Sequence, residues 1–217
     1  MNKLEVIVQT VEFVKKKLSN DTSGHDWWHI YRVWQNAKHI GQKEKADLFI
    51  VELGALLHDI ADWKFHDGDF TKGPQVAGKW LEKCGVEKEI IDRVKHIVEN
   101  VSFKGAKVKS KMKSLEGKVV QDADRLDAIG AIGIGRCFTY GGYAGVEMYN
   151  PDQKPVLHKS FEEYSKSHSS SINHFYEKLL LLKNLMNTKT GKRLAQRRHV
   201  FMKLYLREFL QEWQVVR

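Results

Sequence analysis

The chain has 217 residues, 42% of them apolar and 29% charged, with a formal net charge of +9. That length suits one core of ordinary size, and that balance suits a globular protein rather than a fibrous or disordered one. The start, Met1 to Glu5, lacks a basic region followed by an apolar block, and no apolar run approaches the ~20 residues that span a bilayer. Cys84 and Cys137 form no CxxC, so a cytoplasmic protein with two buried thiols and no membrane partner is expected.

Only three prolines occur, at 74, 151 and 155, which favours helices. Leu4, Ile7, Val8, Val11, Val14 and Leu18 recur at helical spacing and predict a first amphipathic helix. Ser19 to Gly24 is a polar break. Asp26 is a plausible N-cap for a second helix to about Gly41, on which His29, Val33, Asn36 and Ile40 share an inward face. A third helix is expected from about Ala46 to Ile60, and a polar loop over 62 to 72. Pro74 and Gly85 then bound a fourth helix, and a fifth covers about Glu87 to Asn100. After a loop holding Lys104, Lys107, Lys109, Lys111 and Lys113, one long helix is expected from about Leu115 to Cys137.

Tyr140 to Pro155 reads as a long loop, and such loops are usually functional or mobile. Two long helices follow, about Ser160 to Asn187 and Thr190 to Trp213. No repeat and no alternating strand pattern appears, so the fold should be all-α. Gly130, Gly133 and Gly135 follow no strand and do not space as GxGxxG, so close helix–helix contact is their expected role. Ser167 to Ser171 reads as a helix start, and the six tryptophans as mostly core.

The chemistry concentrates in a few residues. His58-Asp59 ends the apolar run Leu48 to Leu57, and His29 stands 29 positions before His58. A carboxylate cluster, Asp122, Asp124 and Asp127, follows in Gln121 to Asp127. Two imidazoles and two carboxylates can close around one divalent metal. Neighbouring side chains on a helix diverge by about 100°, so His58 and Asp59 can both be ligands near a helix end. Asp122 and Asp124 lie on opposite sides of their helix. Asp122 shares a face with apolar Leu126 and Ile129; Asp124 shares one with Asp127 and Ala128, which favours Asp124 as a ligand and leaves Asp122 as the alternative or as an acceptor orienting a ligand His. Imidazole and carboxylate donors admit Mn²⁺, Mg²⁺, Co²⁺, Ni²⁺, Fe²⁺ or Zn²⁺.

The order H…HD…D resembles the HD superfamily of metal-dependent phosphohydrolases. His25-Asp26-Trp27-Trp28-His29-Ile30-Tyr31-Arg32-Val33 resembles its HDxxHxxRV opening, of which only His29 carries over as a ligand. Leu56-Leu57-His58-Asp59 with Asp62 and Lys64 resembles its LLHD segment, and Ala123-Asp124-Arg125-Leu126 its ADRL core. The resemblance implies an all-α HD domain over 1–217, with a motif core about 25–130 and C-terminal helices about 160–213 packed on it.

It also implies His29, His58, Asp59 and Asp124 as ligands to one ion, with Mn²⁺ favoured. Asp62 or Asp122 would position or deprotonate the attacking water, and Lys64 would hold a phosphate oxygen as a point charge. His96, alone on the fifth helix, and Lys104 are further phosphate contacts, and Arg125 and Asp127 line the substrate or anchor the helix. The small stand-alone bacterial members and the basic charge point to a nucleotide substrate. Pyrophosphohydrolysis of a nucleoside triphosphate is preferred over nucleotidase or phosphodiesterase activity. A nucleic-acid-binding helical module with a vestigial metal site is the alternative of another class, motivated by the Lys-rich loop and by Lys192, Arg193, Arg197 and Arg198.

Overall fold

The computed structural model describes residues 2–19, 26–61, 71–167 and 169–214. They form helices and turns, with no strand among the described residues. They group into two compact units. The first holds residues up to Phe103 together with Ser110–Asp124; the second holds Lys104–Lys109 and everything from Arg125 onward.

In the first unit the first three helices begin where short polar side chains satisfy free N–H groups. Asn2 caps α1 (Lys3–Lys17) and Glu5 reaches back to it, a capping box. Asp26 caps α2 (Trp27–Glu44), and Asp47 caps α3 (Leu48–Leu57). All of α3 except Leu48 and Glu52 is buried, so it is the central element; α1, α2 and α5 (Lys88–Asn100) pack on it, and α4 (Lys72–Lys83) packs on α5. Gly85, at φ 69°, ends α4 in a left-handed turn that favours glycine. The third helix was expected to reach Ile60, but it stops at Leu57, where the Ile60 N–H turns back to the Leu57 carbonyl at 3.2 Å. That tightened end is what lets His58 and Asp59 point to one place.

The tryptophans depart from expectation. None of the described ones is buried, and Trp28 is 61% exposed. Indoles keep a polar edge that needs a partner: Trp34 donates to Glu52 at 2.8 Å and Trp80 to Thr10 at 3.0 Å.

The long helix expected from Leu115 to Cys137 is two helices, α6 (Leu115–Asp127) and α7 (Gly130–Tyr143). Gly130 has φ 81°, which breaks the run, and the Arg198 side chain lies 3.0 Å from where its Cβ would stand. Gly133 lies against the Ala128 backbone, whereas Gly135 faces open space, so the expected helix–helix role fails for it.

The helix expected over 160 to 187 is also interrupted. It comprises α8 (Phe161–Ser165), α9 (Ser171–His174), a π-helical turn at Phe175–Leu179 and a 3₁₀ turn at Leu182–Leu185. Ser160 caps α8 at the expected start, and Ser170 caps α9 in the serine run that reads as a helix start, so its hydroxyl opens a second helix. α10 (Lys189–Gln214) is unbroken and packs on α7. Cys84 is buried, and Cys137 is partly buried with its thiol pushed up to about 12 by desolvation. No described helix is long and apolar enough to cross a membrane.

Candidate metal centre

The first turn of α2 sets His29. Asp26 accepts the His29 N–H at 2.9 Å, and the ring is fully buried on the face shared with Val33 and Ile40. His58, at the end of α3, is also buried. Its Nδ1 lies 2.8 Å from the Ala55 carbonyl, which accepts only from an N–H. The proton therefore sits on Nδ1, and the Nε2 lone pair faces the cluster.

The two Nε2 atoms stand 3.2 Å apart. Asp59 Oδ2 is 3.4 Å from His29 Nε2 and 3.5 Å from that of His58. Asp124 Oδ1, from α6, is 3.7 and 3.8 Å from the same nitrogens. Donors bonded to one ion at 2.0–2.2 Å stand about 3.0–3.6 Å apart at neighbouring positions. The His–His–Asp59 triangle has that spacing, and Asp124 is within tenths of an ångström of it. Lone-pair donors gathered in a buried place repel one another unless a cation lies between them. The residues fit a divalent ion.

The other sequence candidates distribute as follows. Asp62 and Lys64 lie outside the described residues, as do His25, Trp63, His66, Asp67 and Asp69. Asp122 is fully buried on α6, which ends before Ile129, so the face expected to run on to Ile129 is cut short. His96 is half-buried on α5, with Asn100 3.2 Å from its Nδ1. Lys104 is half-buried in the second unit. Arg125 donates to the Leu185 carbonyl, and Asp127 pairs with Arg136 at 3.2 Å. Both charges are thus engaged by protein groups.

Two supporting groups escaped sequence reasoning. One is the Ala55 carbonyl, which no side-chain pattern could announce. The other is Gln121, 1% exposed, whose amide donates to the Asn100 and Val101 carbonyls at 3.1 and 3.2 Å. It ties the helix bearing Asp124 to the end of the helix bearing His96. A lone polar residue beside the Asp cluster was its only signal.

An all-helical fold with two imidazoles and carboxylates meeting in this geometry defines a class, the helical divalent-metal proteins. Residues 27–129 match the HD domain. The chain is 43% identical over 209 residues to YpgQ of Bacillus subtilis, covering 96% of this chain and 94% of that one. The crystal structure of YpgQ in complex with ADP matches with TM-score 0.73 and 41% identity, over 95% of this chain and 96% of that one. A Lactobacillus plantarum protein of known structure matches with TM-score 0.89 and 36% identity over 99% and 100%. An HD-superfamily hydrolase from Bacillus thuringiensis matches with TM-score 0.75 and 43% identity over 98% and 99%. The chain belongs to the HD-domain family of metal-dependent phosphohydrolases.

Proposed function

We propose that the protein is a nucleotide pyrophosphohydrolase, converting a ribo- or deoxyribonucleoside triphosphate to the monophosphate and pyrophosphate, with Mn²⁺ as the preferred ion. One observation carries the nucleotide: a relative alike over nearly the whole chain was crystallised with ADP. In this reading His29, His58, Asp59 and Asp124 hold the ion. When bound, the ion supplies positive charge that acidifies the attacking water and polarises a phosphoryl oxygen.

The remaining work falls to the chain. The Ala55 carbonyl keeps the His58 Nδ1 protonated and its ring fixed. Asp62 or Asp122 orients the water and takes its proton. Lys64, aided by His96, offsets charge growing on the phosphoryl oxygens. The water oxygen joins the α-phosphorus, the bond from that phosphorus to the bridging oxygen breaks, and pyrophosphate leaves with that oxygen. Arg125 and Asp127, engaged by Leu185 and Arg136, anchor the end of α6 rather than touch substrate.

A panel of nucleoside mono-, di- and triphosphates, dinucleotides and a generic phosphomonoester, each with Mn²⁺, Mg²⁺, Co²⁺, Ni²⁺ and Zn²⁺, tests the reading. Hydrolysis in ¹⁸O-water should label the monophosphate and leave pyrophosphate unlabelled. Inorganic phosphate released from a monophosphate, with triphosphates untouched, would sink it in favour of a nucleotidase.

A further inference from the structure

Gln121 has no part in hydrolysis as set out above, yet its side chain lies inside the first unit at 1% exposure. Burying an amide is unfavourable unless its N–H and C=O groups find partners. Its Nε2 donates to the Asn100 and Val101 carbonyls at 3.1 and 3.2 Å, and its Oε1 accepts from the Ser110 hydroxyl at 3.2 Å. Carbonyls can only accept, so the two of them fix which end of the amide carries the protons. Asn100 is the last residue of α5 and Val101 follows it, so no later turn of α5 can reach these carbonyls. A side chain of α6 therefore closes the end of α5.

That junction stands beside a proposed metal ligand. α3, α5 and α6 run in one direction through the first unit. Near their starts Glu116 accepts from the Asp47 N–H at 3.2 Å and from Arg93 at 2.9 Å. Further along, a Cβ on Gly54 would stand 3.2 Å from Ile97 and 3.3 Å from Val120. Gln121 then meets the end of α5, His58 and Asp59 follow α3, and Asp124 comes about 4.5 Å further along α6. The apolar contact at Gly54 is non-directional, whereas hydrogen bonds weaken steeply off geometry. Asp124 Oδ1 is already 3.7 and 3.8 Å from the two imidazole Nε2 atoms, so a small slide of α6 would carry it out of ligand spacing. We propose that Gln121 is a positioning residue, which fixes α6 along its axis and so keeps Asp124 within reach of the ion held by His29, His58 and Asp59. The inference rests on Asp124 as a ligand.

Mn²⁺ titration of the full chain by calorimetry, with Co²⁺ absorption bands as a reporter of the ligand set, reads the proposal. Gln121→Met keeps the length and nearly the volume of the side chain but removes both donated bonds. It should weaken Mn²⁺ binding by on the order of 10-fold, the scale of a lost outer contact, and shift the Co²⁺ bands. In an Asp124→Ala background the same change should cost nothing further, because the ligand it positions is gone. Ser110→Ala removes the hydroxyl and leaves the two carbonyl bonds, and Ile97→Val loosens the same three helices without touching a hydrogen bond; both should bind Mn²⁺ as the wild type does. Gln121→Asn, one methylene shorter, replaces Gln121→Met if that variant does not fold. Unchanged Mn²⁺ affinity and Co²⁺ bands in Gln121→Met, beside lost affinity in Asp124→Ala, overturn this inference alone. An equal loss with and without Asp124 also overturns it, as does a loss in Ser110→Ala or Ile97→Val as large as that in Gln121→Met. Wild-type affinity in Asp124→Ala overturns the ligand assignment itself, and this inference with it.

Discussion

The first unit places polar groups inside and gives each a defined partner. Glu116 accepts from Arg93 at 2.9 Å and from the Asp47 N–H at 3.2 Å, and Gln121 holds two carbonyls. The second unit adds ring faces to such contacts: buried Glu177 accepts from Ser169 at 2.8 Å and from the Val156 N–H at 2.9 Å, while Phe175 stacks on Tyr205 with centroids 6.0 Å apart and Phe209 on Trp213 at 6.1 Å. Ring contacts tolerate sliding over a wide range of separations, whereas hydrogen bonds weaken steeply off geometry. The second unit contains a π turn, a 3₁₀ turn and two short helices. The first unit, which carries the proposed ligand atoms, is built from regular helices. Substitutions in the first unit should therefore break chemistry, and those in the second should cost stability alone.

The sharpest break of that contrast is His58→Ala. Losing one donor of the proposed set should cost more than the ~10–100-fold in metal affinity that outer contacts typically cost, and turnover should fall with it. Metal analysis of the purified variant and a turnover assay check both. Asp124→Ala should behave the same way, while Asp122→Asn keeps the metal. Full metal in the Asp124 variant alongside loss in an Asp122→Ala variant would reverse their roles. Next in size is Lys64→Ala, expected to lower turnover by on the order of 10²-fold, the scale of losing one aligned electrostatic donor, at unchanged metal content and melting midpoint. Wild-type turnover there would make Lys64 an ordinary loop residue.

The same contrast marks what the sequence could disclose. His29, His58, Asp59 and the late Asp cluster were legible because few residue types ligate a metal and their helical faces follow from spacing. The regular helices of the first unit were legible from their apolar spacing, and Asp26 announces the start of α2. The helix start at Ser167 to Ser171 was legible in its serines, but the break at Gly130 was not. A glycine at left-handed φ occurs inside a run whose apolar spacing continues across the break, and spacing alone cannot register a change of axis. The Ala55 carbonyl carries no side-chain signal at all.

Gly130→Ala tests the break directly. A Cβ at φ 81° is strained, and here it would also meet Arg198 at 3.0 Å. The expected loss is about 1–3 kcal/mol, read as a fall in melting midpoint of roughly 2–4 °C for each kcal/mol. Metal content and turnover per folded molecule should hold. A variant of undiminished midpoint would mean that α6 and α7 can straighten into the continuous helix that spacing suggested.

The smallest effect expected is a titration in the second unit. Burial, with Lys183 and Lys203 nearby, pushes the His199 imidazole below its ordinary range, and its buried Nδ1 has no hydrogen-bond partner. The unfolded chain then binds a proton more readily than the folded one. Stability from this residue is intact above its unfolded value of about 6.5 and is lost as pH falls through the window between that value and the lower folded one. His199→Asn removes this proton linkage. Between about pH 7.5 and about pH 5.5 its melting midpoint should fall less than that of the wild type, by on the order of 1 °C, since much of the ring is solvated. A wild type that instead lost less than the variant would show that the protonated ring gains a partner.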